Sequence, residues 1–391
     1  MNSMERCTIN FIQSNMNNKF WQAPTFDKNI LIVPNYTYFG SDKDINSDSF
    51  VLVMDKFLTY RMDLKGINFI IPHPTGHVPT FLSNHKNVEL IPMGELSSFA
   101  PLMRVQFPHK FFKKILAERG IHLIWSHLPE WTNQILISRR WSTFQKVIGY
   151  SHWWEIKDNG GYQYNSFIDN INGMLQMEVC GVNSQWVKDK VLERASEYFN
   201  DDVIKKLKNI IQPWYLGSDD FVKSYKKNDV PTFLFNHRMD EYTGGKYFFK
   251  LMDKMWDKGY QFKVYVTNSD IDKPYVENVR AVDRETYLSN ISSAHFGIGT
   301  FKKYSAWSLS VVDGLSADVP YLLPKGLCYD EMVGDTYPYL YDDRTQFEEW
   351  IESILKGEFK IKHEPYKLES ICTQLDWLKV LNDWDVKKYL M

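Results

Sequence analysis

The sequence is poor in cysteine: Cys7, Cys180, Cys328 and Cys372 lie far apart, with no metal-type spacing. That argues against a disulfide framework or a zinc cluster and suits reduced, mostly buried thiols. No window approaches the roughly 20 apolar residues that a membrane helix needs. The opening MNSMERCTINFIQSN lacks the apolar run of a signal peptide, so the expected location is the cytoplasm. An excess of one charge is also missing. Lys and Arg number 46 against 48 Asp and Glu, and the net charge of −2 gives no global pull toward nucleic acid. No GKS or GKT tail marks a P-loop. No Asp-X-Asp clamp follows a strand, since Asp270-Ile271-Asp272 falls in a loop. The expectation is chemistry without a metal.

What is present points to two domains. At 391 residues the chain exceeds one compact core and suits two units of roughly 150–200 residues. Aromatics are plentiful, with 13 Trp, 23 Tyr and 25 Phe, and serve either as core or as stacking platforms for sugars and bases. Short apolar runs alternate with helical patterns throughout. Strands are expected at Asn29–Pro34, Ile67–Pro72, Val88–Pro92, His122–Ser126, Lys146–Tyr150 and Met174–Val179. Helices are expected at Asp48–Leu64, Lys110–Arg119 and Gln185–Tyr198. The pattern restarts after a linker at 210–230. Strands at Thr232–Asn236, Gln261–Thr267, His295–Gly299 and Tyr321–Pro324 then alternate with helices at Lys246–Lys258, Arg284–Ser293 and from near Ala306. Phe347–Lys356 and Ser370–Tyr389 read as closing helices.

This order predicts an α/β chain with two facing, Rossmann-like doubly wound domains and a ligand in the cleft between them. The expected domains are 1–212, on the acceptor side, and 213–391, which binds the nucleotide, with the last helix crossing back. A monomer is expected.

The most informative stretch is Ile291–Pro320. It reads as strand, small-residue loop and helix, with Asp313 about two turns into the helix. A helix start there offers unpaired N–H groups and a positive dipole end to a phosphate, and an acidic residue further along can accept hydrogen bonds from sugar hydroxyls. A second segment resembles it in logic. The strand ending at Asn236 runs into His237-Arg238, then Gly244-Gly245, then Lys246 and a helix. Two cations would point at a diphosphate across a glycine turn.

These two segments together resemble the donor-binding domain of GT-B glycosyltransferases, in particular the retaining, family 4-like type with paired acidic residues eight apart. The match covers roughly 230–325. It implies a soluble enzyme that uses a nucleoside-diphosphate sugar, such as a UDP-sugar, and no prosthetic group. By the same match Arg238 and Lys246 bind the donor diphosphate and stabilise the leaving group. The N–H groups near Ser308, Leu309 and Ser310 do the same, and Asp313 holds the ribose diol. This chain departs from the pattern twice. Asp313 stands where the family usually has Glu, and Ser305 stands where the first acid would be.

In the first half, Tyr150-Ser151-His152-Trp153-Trp154 follows an apolar strand. His152 resembles the family histidine that contacts the donor sugar. His127 also follows a strand, and Gly40, Ser41 and Asp42 occupy the first strand–helix loop; all four are acceptor-side candidates. Basic residues interleave with aromatics at Lys110–Lys114, at Arg139-Arg140-Trp141 and, without aromatics, at Lys205, Lys206 and Lys208. Such clusters suit a polyanion, or are solvated helix faces. The Asn-, Lys-, Tyr- and Trp-rich texture resembles proteins of large phages, whose DNA-base glycosyltransferases act on hydroxymethylated pyrimidines such as hydroxymethylcytosine. That resemblance implies a double-stranded DNA acceptor, a host-cytoplasmic location, base flipping and glucosyl or arabinosyl transfer. A cell-envelope or capsular glycan, or a non-catalytic nucleotide-sugar-binding module, stays open beside it.

Overall fold

The computed structural model describes residues 26–36, 45–93, 107–138, 145–151, 164–222, 226–239, 243–267, 269–279, 283–299, 305–359 and 367–390. His152, Gly40, Ser41, Asp42, Cys7 and Arg139–Trp141 lie outside them.

The first unit is a parallel sheet whose strands read as near-continuous apolar runs, as buried parallel strands must. Strands β1 (Lys28–Val33), β2 (Ile67–His73), β3 (Val88–Pro92), β4 (Leu123–Ser126), β5 (Lys146–Ser151), β6 (Val179–Val182) and β7 (Ile211–Pro213) lie in the order β3-β2-β1-β4-β5-β6-β7. Helices α1 (Ser49–Tyr60) and α2 (Thr80–Ser83) cover one face. Helices α3 (His109–Glu118), α4 (Thr132–Ser138), α5 (Tyr164–Met174), α6 (Gln185–Ser196) and α7 (Asp201–Ile210) cover the other.

The second unit repeats the plan. Strands β8 (Thr232–Phe235), β9 (Lys263–Val266), β10 (Val276–Asn278), β11 (Phe296–Ile298), β12 (Tyr321–Pro324) and β13 (Leu340–Tyr341) take the order β10-β9-β8-β11-β12-β13, all parallel. Its helices are α8 (Gly245–Asp257), α9 (Arg284–Ile291), α10 (Leu309–Ser316), α11 (Tyr329–Val333), α12 (Arg344–Leu355) and α13 (Leu368–Gln374), whereas α14 (Trp377–Asn382) packs into the core of the first unit. In both sheets the strand order reverses at the first strand, between β1 and β4 and between β8 and β11. In doubly wound sheets the ligand crevice opens at the carboxyl ends of those two strands.

Several elements differ from the sequence reading, each for a local reason. The expected helix over Ser370–Tyr389 is broken into two α-helices and a closing 3-10 turn, Val386–Leu390. Asp376 takes an extended conformation and its carboxylate accepts the Leu378 and Lys379 N–H groups at 2.9 and 3.3 Å, so a new helix starts there. Met174 ends α5 rather than opening a strand, and the strand begins at Val179. Helix α7, mostly polar, is an addition to the expected elements; Asn200 caps it by accepting the Val203 N–H at 3.1 Å. Helix α10 starts at Leu309, three residues later than the pattern suggests, because Ser308 is its cap.

The C-terminal segment returns to the first unit. Trp384 is fully buried; its ring stacks on Trp214 at 5.4 Å and lies 4.7 Å from Tyr150 and 6.1 Å from Trp125. Arg61, from the end of α1, donates to the carbonyls of Leu381 and Trp384 at 3.0 and 2.6 Å. A cation thereby satisfies the open carbonyls at the end of α14. Trp384→Ala should lower unfolding free energy by about 3–5 kcal/mol, read from the midpoint of a denaturant titration.

Candidate functional site

Strands β8 and β11 are direct neighbours, with Phe233 opposite Phe296 and Leu234 opposite Gly297. The segments that leave their carboxyl ends therefore meet. After β8, Asn236 and His237 are buried while Arg238 is exposed. His237 Nε2 lies 2.9 Å from the Ile298 carbonyl, which can only accept, so this nitrogen carries the proton and ties the two strand ends together. The buried Thr243 hydroxyl donates to the Arg238 carbonyl and fixes the loop. Gly244 then caps α8 with φ of 73°, a left-handed conformation that a side chain would strain. Lys246 lies exposed in the first turn of α8.

After β11 the chain reaches α10. The Ser308 side chain accepts the Val311 N–H at 3.4 Å, and its carbonyl accepts Val311 and Val312 at 3.1 Å. The N–H groups of Leu309 and Ser310 have no partner inside the helix, as in any first turn. Asn236 sets the height of this turn. Its amide donates to the Ser310 carbonyl at 2.7 Å and to the Tyr287 hydroxyl at 3.1 Å, and its oxygen lies 2.8 Å from the Tyr321 hydroxyl. Helix α10 also sits directly on Tyr321: a Cβ on Gly314 would fall 2.2 Å from that ring.

Of the residues singled out in the sequence, Arg238, Lys246, Ser308, Leu309, Ser310 and Asp313 all belong to these two strand–helix junctions. His127 follows β4 at the switch point of the first sheet, and its N–H donates to the Val33 carbonyl at 2.8 Å. Its side chain is only 1% exposed, however, and packs among Phe50, Trp125 and Tyr150 with ring centres 5.0–5.8 Å away. Ser305 is equally enclosed, with its hydroxyl 3.2 Å from that of Tyr329 and 3.5 Å from the Cys328 sulfur.

Sequence reasoning missed the charges around Asp313. Its Oδ1 accepts from Arg284 Nη2, at the start of α9. Arg284 Nε donates to Asp219 at 2.6 Å, and Lys56 of α1 donates to the other Asp219 oxygen at 2.5 Å. Burial pushes the Asp313 carboxyl above the usual carboxylate range and Asp219 adds to this, while Arg284 and Lys56 oppose it. For Asp219, burial also raises the pKa, but Arg284 and Lys56 outweigh it and hold the group below its ordinary value. These partners stand 29, 65 and 163 positions apart along the chain, so no local pattern announces them.

The two units touch around this site. Trp307 packs against the cores of both units, with its ring 5.3 Å from Tyr215, and Leu309 packs on the first. Glu331 of α11 receives the Gln185 and Trp186 N–H groups at the start of α6, both at 2.7 Å, and the Tyr215 hydroxyl at 3.1 Å. Its carboxylate thus sits on the positive end of a helix in the other unit. Among the described residues no group of three or more His, Cys, Asp or Glu could hold a metal ion, and no helix is long and apolar enough to cross a membrane.

No protein-family model matches the sequence, and no curated protein matches it at a significant level. Solved structures do resemble it. Sucrose-phosphate synthase from Thermosynechococcus elongatus superposes with a TM-score of 0.69 at 13% identity, over 91% of this chain and 97% of that one. The chain has the GT-B fold. HepE from Anabaena, solved with UDP and glucose, gives 0.62 at 9% identity over 92% and 98%. α,α-Trehalose 6-phosphate synthase from Burkholderia multivorans gives 0.60 at 11% over 93% and 96%. At such identities the likeness speaks for the GT-B architecture.

Gly314→Ala should force α10 off Tyr321 and lower stability by about 1–3 kcal/mol, seen as an earlier thermal transition.

Proposed function

We propose that the protein is a glycosyltransferase that moves a sugar from a nucleoside diphosphate to a hydroxyl group. One observation carries this reading: two helix N-termini, α8 with Lys246 and α10 with Ser308 to Ser310, converge at the carboxyl ends of the neighbouring strands β8 and β11. Two positive dipole ends and the side chains of Arg238 and Lys246 make a site for a diphosphate. Asp313, further along α10, takes the ribose hydroxyls, and the family resemblance assigns contact with the donor sugar to His152. The GT-B neighbours support the class, and HepE was solved with UDP and with UDP-glucose, so a UDP-sugar is the first donor to try.

In the reaction the acceptor oxygen bonds to the anomeric carbon as the bond from that carbon to the diphosphate breaks. The acceptor proton leaves with the departing phosphate or to water. Arg238, Lys246 and the first turn of α10 stabilise the charge that develops on the leaving group. The cationic side chains and helix ends supply the positive charge there, so donor binding needs no metal.

For the acceptor we favour a hydroxymethylated pyrimidine in duplex DNA, with Gly40, Ser41 and Asp42 on the acceptor side. The support is the basic surface of α3, where Lys110, Lys113 and Lys114 are exposed beside Phe111, and that of α7, where Lys205, Lys206 and Lys208 are exposed. Hydroxymethylated DNA incubated with a panel of nucleotide sugars should gain a hexose or pentose mass by mass spectrometry. A gain on a cell-envelope glycan and none on DNA would replace the acceptor and keep the class. Nucleotide binding without transfer or donor hydrolysis would reduce the protein to a binding module. Arg238→Ala or Lys246→Ala should each lower turnover by about 10²–10³-fold, measured as release of nucleoside diphosphate.

A further inference from the structure

The charged chain that ends on Asp313 begins in the other unit. Lys56 on α1, Asp219 in the crossover, Arg284 on α9 and Asp313 on α10 alternate in sign and sum to zero. Each inner member is shared. Asp219 gives one oxygen to Lys56 and the other to Arg284, and Arg284 gives Nε to Asp219 and Nη2 to Asp313. Asp219 is 15% exposed and Asp313 19%, so both carboxylates depend on these cations rather than on water.

The sharing decides what remains of Asp313. An Arg beside a lone carboxylate tends to close on it as a two-bond fork. Here Asp219 holds the Nε edge of Arg284, so only Nη2 reaches Asp313. Among the described residues, its Oδ2 carries no hydrogen bond. Lys56 holds the other oxygen of Asp219, so that Asp219 meets Arg284 through one oxygen alone, and it counters part of the repulsion that Asp219 exerts on Asp313.

We propose that Lys56 and Asp219 are positioning residues for the nucleotide: acting through Arg284, they leave Asp313 with one oxygen open to the ribose 2′- and 3′-hydroxyls. This rests on the donor-site reading above. It assigns to the first unit a residue that sets ribose recognition in the second without touching the nucleotide.

The test is the preference for ribose over 2′-deoxyribose. UDP, ADP and GDP, each paired with its 2′-deoxy form, are titrated by calorimetry into the wild-type protein and into Lys56→Met, Lys56→Arg, Asp219→Asn and Asp313→Asn. The wild type should prefer the ribonucleotide by about tenfold, the weight of one hydrogen bond to a charged group. Asp313→Asn should abolish that preference. Lys56→Met and Asp219→Asn should lower it at least about threefold, while Lys56→Arg keeps it. A merely structural loss would weaken both nucleotides equally and leave the ratio intact. An unchanged ratio in Lys56→Met and Asp219→Asn, with the ratio lost in Asp313→Asn, overturns the positioning role and spares the donor site. Wild-type protein that binds none of the nucleotides overturns the donor site and this inference with it.

Discussion

Asn236 is the constraint on which the second unit is arranged. It is buried at the carboxyl end of the central strand, where an unpaired amide would be costly. It meets that cost by binding three different elements: the Ser310 carbonyl of α10, the Tyr287 hydroxyl of α9 and the Tyr321 hydroxyl of β12. Once those bonds form, the start of α10 stands at one height above the sheet and α9 is pinned beside it. Arg284, one turn before Tyr287 on α9, is thereby brought to Asp313. The site is a consequence of how one amide is satisfied.

The contacts between the units have a different character. They are single polar groups seated on opposite charge: Glu331 on the start of α6, and Lys56 on Asp219. Around them Trp307 and Leu309 contribute partly buried apolar surface. The crossover is also stitched down, since the Ser218 N–H donates to the Leu375 carbonyl and its hydroxyl to that of Cys372. The break between α13 and α14 at Asp376 lies against this same crossover, so the point where the chain changes unit on the way out is held by the point where it returns.

The sequence was legible where a local pattern carries the physics. Runs such as Asn29–Pro34, Ile67–Pro72 and Tyr321–Pro324 are apolar because parallel strands are buried on both faces, and each forms a strand close to where it was read. Arg238, Lys246 and Ser308–Ser310 could be picked out because a strand end, a small-residue turn and a helix start are contiguous in sequence. Strands β10 and β13 are three and two residues long and leave too short a signal. Arg284 stands in the sequence only as the first residue of an expected helix, and Lys56 only as a position inside another. Their partners are supplied by the topology. The burial of His127 was hidden too, because the aromatic rings that enclose it come from α1, β4 and β5.

The return of Trp384 has a bearing on how the chain is made. The last helix and the residues after it fill the wall beside Trp125, Tyr150 and Trp214, all of which are translated long before it. A nascent chain that has just released its first sheet still exposes those rings. The unit that leaves the ribosome first is therefore completed last.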